Sequence, residues 1–312
     1  MFTRVIDSIE IELADKCNAR CPQCPRYDNN HRLVKGLNKN EITLDTFKQI
    51  DVIKNLKHLD FKGTTGDPII AKDLIAIIEY VRQINKHCSI GIATNGSLHD
   101  NEYWTRLAEL DCDIVFGIDG LSGVHEMYRI GTDFHKVLQN AKTFIQAGGY
   151  AEWQMLIFEH NEHQIEDCEK MASQIGFQKF NTMHSDRFAY VDSTDVGTYT
   201  LRPTKQSYNN AETKIKDKTA VKKVSCMSLN NNSIFIYADG SVWPCCMLGG
   251  ITAWGKHTPH SQVEISMINK HIGTIGNIHQ NNLTDILNSD DWNRWQWVTQ
   301  GKMPTCRLYC GV

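Results

Sequence analysis

Between residues 8 and 182, six short apolar runs alternate with longer amphipathic stretches, and no other feature narrows the possible folds as much. IEIEL (9–13), HLDF (58–61), SIGIAT (89–94), DIVFGI (113–118), WQMLIF (153–158) and FQKFNT (177–182) have the length and composition of strands. The stretches near 43–56, 72–86, 100–110, 133–147 and 162–175 carry helical spacing. Several open on a Thr or Asp cap, and one closes on Gly148-Gly149. Strands and helices in strict alternation predict an α/β fold with a parallel sheet, either doubly wound or curled into a barrel. In both, the chemistry sits at the carboxyl ends of the strands.

The residues that follow the strands fit that rule. A cysteine loop follows the first, Gly63-Thr64-Thr65-Gly66-Asp67-Pro68 the second, Thr94-Asn95-Gly96 the third and Asp119-Gly120 the fourth. Gly allows close backbone approach to a ligand, and Asp or Asn supplies hydrogen bonds to a polar one. Any one of these is an ordinary turn; four on one rim beside a cysteine loop read as a site. His184, Asp186, Arg187 and Tyr190 follow the sixth strand, where substrate contacts or plain loop polarity explain them equally well. No catalytic acid or base is assigned.

The chain has 312 residues, enough for one large domain with a small appendage. Its 33 Lys and Arg stand against 36 Asp and Glu, a formal charge of -3, so there is no basic field to hold a phosphate backbone and nucleic acid is excluded as an expected partner. Nowhere do ~18 uninterrupted apolar residues occur, so a cytoplasmic protein without a membrane span is expected.

The 11 cysteines fall into unequal groups. Cys88, Cys112 and Cys168 stand singly in apolar or helical surroundings and read as buried small hydrophobes. Cys17, Cys21 and Cys24 have the spacing C-x3-C-x2-C. Structural zinc and electron-transfer iron–sulfur sites close their coordination with four protein ligands, whereas three leave one metal position open for chemistry. The alternative is a zinc loop that borrows a fourth ligand such as His31. The motif and its place after the first strand resemble the radical S-adenosylmethionine (radical SAM) superfamily, with Gln23 where an aromatic residue often precedes the third cysteine. The resemblance implies a partial (β/α)6 TIM-like barrel and a [4Fe-4S] cluster on Cys17, Cys21 and Cys24 that binds S-adenosyl-L-methionine. It also implies reductive cleavage of that cofactor to a 5′-deoxyadenosyl radical, which removes hydrogen from an unactivated carbon. Gly66, Asp67 and Pro68 are similar to the family's Gly-Glu-Pro turn, with Asp shorter by one methylene. Thr94, Asn95, Asp119 and Arg129, the last in an H-x3-R spacing from His125, resemble the family's cofactor rim, and Gly117 stands where many relatives carry Ser.

A second group, Cys226, Cys245, Cys246, Cys306 and Cys310, occupies the last third. SIFIYADGSVWPCC reads as a β-hairpin turned at Asp239-Gly240, followed by IGNI (275–278) and two short helices in LTDILNSDDWNRWQWVTQG. Trp292 and Trp295 share a helical face suited to core packing; Trp297 lies close by. This part resembles the superfamily's twitch domain, a reduced SPASM domain. The resemblance implies a small C-terminal α+β domain whose auxiliary [4Fe-4S] cluster takes four thiolates from Cys226, Cys245, Cys306 and Cys310. The choice of Cys245 over Cys246 stays open, as does zinc in place of iron.

The expected organisation is a barrel over 1–185, a polar linker or substrate-covering segment over 186–223, and the auxiliary domain over 224–312. The resemblance implies a peptide or small-molecule substrate, oxidative dehydrogenation or side-chain modification, and an external one-electron reductant such as flavodoxin or ferredoxin. Because the chain opens at strand one, no N-terminal peptide-recognition domain is expected. The competing class is a non-enzymatic iron–sulfur electron carrier or zinc-stabilised scaffold.

Overall fold

The computed structural model describes residues 6–27, 32–185, 194–196, 199–202, 204–206, 224–254, 259–295 and 303–311. The strands are β1 (Ser8–Ile11), β2 (His58–Phe61), β3 (Ser89–Thr94), β4 (Cys112–Gly117), β5 (Tyr150–Ile157), β6 (Lys179–His184), β7 (Thr194–Val196), β8 (Tyr199–Leu201), β9 (Ser233–Ile236) and β10 (Val242–Trp243). The helices are α1 (Leu44–Phe47), α2 (Leu74–Ile84), α3 (Asn101–Glu109), α4 (His125–Tyr128), α5 (Phe134–Gln146), α6 (Ile165–Ile175), α7 (Met227–Asn230), α8 (Cys246–Trp254), α9 (Pro259–His271), α10 (Leu283–Asn288), α11 (Asp290–Asn293) and α12 (Pro304–Cys310). All six expected strands form. Most of the expected 186–223 linker lies outside the described residues; within it β7 and β8 pair antiparallel.

The chain divides into two compact units. The first joins residues 1–16, 34–89 and 217–312. Here β1 pairs parallel with β2 on one side and with β9 on the other, and β9 turns back antiparallel into β10. Ile9, Leu59 and Ile234 share one level, Ile11, Phe61 and Ile236 the next, and all six are buried. Phe235 points to the opposite face and is buried too. A Cβ placed on Gly249 of α8 would lie 2.7 Å from its ring, so only glycine lets α8 pack there. Trp295 meets Trp243 edge-on at 5.6 Å, and Trp292 and Trp295 are both buried, as core packing requires. Trp297 lies outside the described residues.

The helix expected over 43–56 is interrupted. It is α1, capped by Thr43, followed by a 3₁₀ turn at Ile53–Asn55. The carbonyl of Gln49, which a continuous helix would give to residue 53, instead accepts the N–H of Leu283, and Asp51 accepts that of Thr284. The start of α10 thus takes a backbone acceptor that the helix would need.

The second unit joins 17–33 and 90–216. In it β4 pairs parallel with β3 and β5, and β5 with β6. Asp100 and Asp133 cap α3 and α5. Gly148 and Gly149 close α5 by donating to Ile145 and Phe144. Phe116 packs against Trp104, Phe144 and Phe177, and Trp153 donates its indole N–H to the carbonyl of Ile118 at 2.8 Å. Cys168, and in the first unit Cys88, are buried, and desolvation pushes their thiols up to about 12 and about 11, as inert core residues. Cys112 is buried in β4. Among the described residues, no helix is long and apolar enough to cross a membrane.

Candidate functional site

The loop after β1 carries Cys17, Cys21 and Cys24. Cys24 N–H donates to the Cys21 carbonyl at 3.0 Å and Tyr27 N–H to that of Cys24 at 3.1 Å, so the last two cysteines ride on tight turns. Cys21 is buried with Ala19, Tyr128, Phe158 and Leu201, and Cys17 and Cys24 pack against this group half-exposed. N–H groups of Ala19 (3.4 Å) and Asn95 (3.8 Å) approach the sulfur of Cys17. None of the eleven cysteines is in a disulfide. His31 lies outside the described residues.

Asn95 also donates to Asn18 Oδ1 at 3.0 Å, and its own oxygen accepts from Ser97. The Thr94 hydroxyl accepts the Gly96 N–H, and buried Asn140 of α5 donates to the carbonyls of Gly96 and Leu98. The Thr94-Asn95-Gly96 turn is therefore fixed from within and from the neighbouring helix.

Asp119 is fully buried. Its Oδ2 accepts from Arg129 Nε at 2.6 Å and its Oδ1 from the Leu156 N–H at 2.7 Å. Burial alone would lower the Arg129 pKa, but the charge of Asp119, with smaller help from Cys21 and Tyr128, raises it, so a fixed cation lies within electrostatic reach of Cys21. A Cβ on Gly117 would lie 2.7 Å from an Arg129 terminal nitrogen. The guanidinium thus occupies the space that a side chain at residue 117 would need. His125 is buried. Its Nδ1 accepts the Asp119 N–H, so Nε2 carries the proton toward Thr132 Oγ1, which in turn donates to the Arg129 carbonyl. Desolvation lowers its pKa to about 4, and the ring acts as a neutral brace for Asp119 and Arg129.

In the first unit, Gly66 admits no side chain, because a Cβ would stand 1.7 Å from the Ala14 carbonyl oxygen. Asp67 N–H donates to the Lys16 carbonyl at 2.7 Å, one residue before Cys17. The Asp67 carboxylate caps the 3₁₀ turn that Pro68 opens, accepting from Ile69 N–H at 3.2 Å. Beneath this turn lies Glu12, which sequence reasoning did not single out. It is fully buried, and its Oε1 accepts the N–H groups of Thr65 and Gly66 and the Thr65 hydroxyl. Desolvation outweighs these donors and raises its pKa to about 7. Glu12 follows β1 directly and alternates with Ile9 and Ile11, so the sequence alone offers no signal for its burial.

The C-terminal thiols gather. Cys226 precedes α7, Cys245 follows β10, and Cys306 and Cys310 are four apart on α12, hence on one face. The Val224–Gly311 bridge and the Ser225 N–H to the Cys310 carbonyl, 2.8 Å, bring the two ends of the segment together. Burial first, then the charges of Cys245, Cys226 and Cys310, raise the Cys306 pKa. Cys245 is pushed up to about 12 by burial, with Cys226 and Cys310 adding to it. Cys246 lies toward β1 as well: after burial, its pKa is raised by the charge of Glu10, with which its thiol is hydrogen-bonded, and by Cys245. Among the described residues, no three or more His, Cys, Asp or Glu side chains are grouped as ligands of a single metal ion.

His184 ends β6 exposed, with Nδ1 3.0 Å from Thr204 Oγ1; Asp186, Arg187 and Tyr190 lie outside the described residues.

The fold has counterparts among solved structures. The SuiB protein of Streptococcus suis, solved bound to S-adenosylmethionine, superposes with a TM-score of 0.63 at 13% identity over 92% of this chain and 66% of that one. The protein anSMEcpe, solved with bound AdoMet, gives a TM-score of 0.58 at 16% identity over 96% and 90%. These likenesses establish the partial-barrel fold. In sequence, GTP 3',8-cyclase of Clostridium perfringens is 31% identical over 100 residues, 31% of this chain; the match spans 29% of the cyclase. The tungsten-containing aldehyde ferredoxin oxidoreductase cofactor-modifying protein of Pyrococcus furiosus is 21% identical over 95% of this chain and 85% of its own length. The model of an iron–sulfur cluster-binding domain, SPASM, matches residues 226–311. The model of the radical SAM superfamily matches residues 11–172, just over half of the chain, and the chain belongs to that superfamily.

Proposed function

We propose that this chain is a radical SAM enzyme that cleaves S-adenosylmethionine and abstracts hydrogen from a peptide or small-molecule substrate for a net oxidation or side-chain modification. The observation that carries this reading is the pair of unlike thiol sets, three cysteines on the loop after β1 and four drawn together in the C-terminal segment. The donor sets fit the cofactors that the family implies. Cys17, Cys21 and Cys24 would hold a [4Fe-4S] cluster with one open iron, and Cys226, Cys245, Cys306 and Cys310 would close an auxiliary cluster. After burial the leading influence on Cys306 is Cys245, whereas for Cys246 it is Glu10 and only then Cys245, which supports Cys245 as the ligand. Four thiolates suit zinc as well as iron, and the match of residues 226–311 to an iron–sulfur cluster-binding domain favours the cluster. Bound there, the first cluster would supply the electron that breaks an S–C bond of the cofactor, and the auxiliary one would take up the electron lost by the substrate radical.

The chain's own residues orient the cofactor. In the first unit, Gly66, Asp67 and Pro68 present a turn whose first residue admits no side chain and a carboxylate suited to an ammonium group. In the second, Thr94 and Asn95 line a fixed turn, and Arg129, held by Asp119, offers a cation for a carboxylate. A peptide substrate draws support from SuiB, solved with its precursor peptide SuiA, and from anSMEcpe, solved with a Cp18Cys peptide. The absence of disulfides fits a reducing cytoplasm, and a flavodoxin or ferredoxin would supply the electron.

The test is anaerobic reconstitution, iron and sulfide analysis, and incubation with dithionite and S-adenosylmethionine. The wild type is expected to form 5′-deoxyadenosine, and Cys17→Ala, Cys21→Ala, Cys24→Ala together to form none while keeping the auxiliary iron. Formation at the wild-type rate in that variant would refute the assignment.

A further inference from the structure

Thr65 stands directly before the Gly66-Asp67-Pro68 turn, and its hydroxyl meets a side chain from the other end of the chain. Tyr237, the residue after β9 and inside the segment matched by the iron–sulfur domain, places its hydroxyl 2.7 Å from Thr65 Oγ1. The Thr65 hydroxyl donates to Glu12 at 3.1 Å, so its oxygen is the acceptor for the phenol, and the order is Tyr237 O–H to Thr65 O–H to Glu12 Oε1. Tyr237 is itself anchored: its N–H donates to the Ser241 carbonyl at 2.9 Å, and its carbonyl accepts from Gly240 N–H at 2.8 Å across the hairpin turn.

We propose that Tyr237 is a positioning residue for the S-adenosylmethionine turn, bracing Thr65 and Glu12 from the auxiliary domain so that the turn is held for the cofactor. The inference rests on the assignment of Gly66-Asp67-Pro68 to the cofactor made above. Three features of the network support it. The network is buried, with Thr65 and Glu12 fully enclosed and Tyr237 5% exposed, so water cannot replace a lost partner. Burial raises the phenol pKa, with the charge of Glu12 adding to it, so the group stays a donor. Glu12 Oε1 collects both peptide N–H groups that lead into Asp67 together with the hydroxyl that Tyr237 fixes, and Oε2 has no hydrogen-bond partner. The geometry of the turn is thus set by a carboxylate held on one side only. Cofactor binding in the barrel then depends on a domain whose cysteines serve another metal site.

The test compares Tyr237→Phe, Thr65→Val and the double variant, each reconstituted anaerobically with iron content measured. Tyr237→Phe is expected to weaken S-adenosylmethionine binding about tenfold in equilibrium dialysis with iron content unchanged. Thr65→Val should weaken it at least as much, and the double variant no more than Thr65→Val alone. Hydrogen exchange without cofactor should speed up in Tyr237→Phe for the peptide covering residues 62–70 and stay unchanged over β4 and β5. Wild-type affinity and exchange in Tyr237→Phe, additive losses, or faster exchange everywhere would each overturn the proposal. If the wild type itself fails to bind the cofactor, the cofactor assignment has failed instead, and the exchange comparison still decides whether Tyr237 braces the turn. Should Thr65→Val not fold, Tyr237→Phe alone decides.

Discussion

Asp67 shows how one side chain can serve structure and ligand together. Its Oδ1 caps the 3₁₀ turn, so Asp67→Ala removes a cap along with any cofactor contact. Asp67→Asn keeps a capping oxygen and removes only the charge. We expect Asp67→Asn to melt close to the wild type and to bind S-adenosylmethionine about tenfold more weakly; unchanged affinity in a titration would mean that the turn is only a turn. His125 makes a prediction about pH. Its folded pKa of about 4 lies below the ordinary value of 6.5, so the unfolded chain binds more protons and stability falls as pH drops through that window. From pH 7.5 to 5 this amounts to roughly 2 kcal/mol, and urea melts of His125→Gln should lack that share of the loss. The H-x3-R spacing and the rim glycines were legible in the sequence because each is a local pattern. The brace at His125 was not, since it depends on which ring nitrogen faces a backbone N–H. Nor was Glu12, whose alternation with Ile9 and Ile11 reads as a solvent-facing row until both faces of the strand are covered.

Among the elements that carry cysteines, α12 has little support of its own. Seven residues make a helix too short to persist alone, yet it carries Cys306 and Cys310. Its first turn is held from outside by buried Glu264 of α9, which accepts the Thr305 N–H at 2.7 Å and the Thr305 hydroxyl at 2.9 Å. Glu264→Ala should therefore cost ~1–2 kcal/mol and, because two of four thiols lose their place, lower the auxiliary iron while leaving the three-cysteine loop loaded. Iron and sulfide analysis beside circular dichroism checks this. Full iron in the variant would show that the cluster, and not the cap, sets the helix. The strands were readable because runs such as SIGIAT and DIVFGI declare themselves within six residues. The helices α8 and α9 were not: CMLGGITAW contains two glycines, and PHSQVEISMINKH shows little periodicity. The break after α1 was hidden for another reason, since the competitor for the Gln49 carbonyl is Leu283, more than two hundred residues away.

At the scale of the whole chain, sequence order and compactness diverge. The first unit draws on the beginning, an early stretch and the end of the chain, and its strand β1 is enclosed by β2 and by β9. The hairpin was legible from its Asp-Gly turn, but its parallel pairing with β1 was not, because nothing near Ser233 records a partner at Ser8. The pairing spans four residues on each strand and is extended by Glu12 N–H to the Ile236 carbonyl and Asp7 N–H to that of Asn232. Cutting the chain before residue 224 would strip this pairing and leave β1 as an open edge beside Ile9, Ile11 and Phe61, which lose cover from Ile234 and Ile236. Such an edge, apolar and unpaired, is a template for association. We expect a protein of residues 1–223 to aggregate or bind a hydrophobic dye and to melt without cooperativity, although it retains every residue matched by the radical SAM family model. Size-exclusion chromatography and thermal scans decide it: a monomeric, cooperatively melting 1–223 would mean that the barrel stands without the C-terminal segment, and the dependence of β1 on β9 would fall.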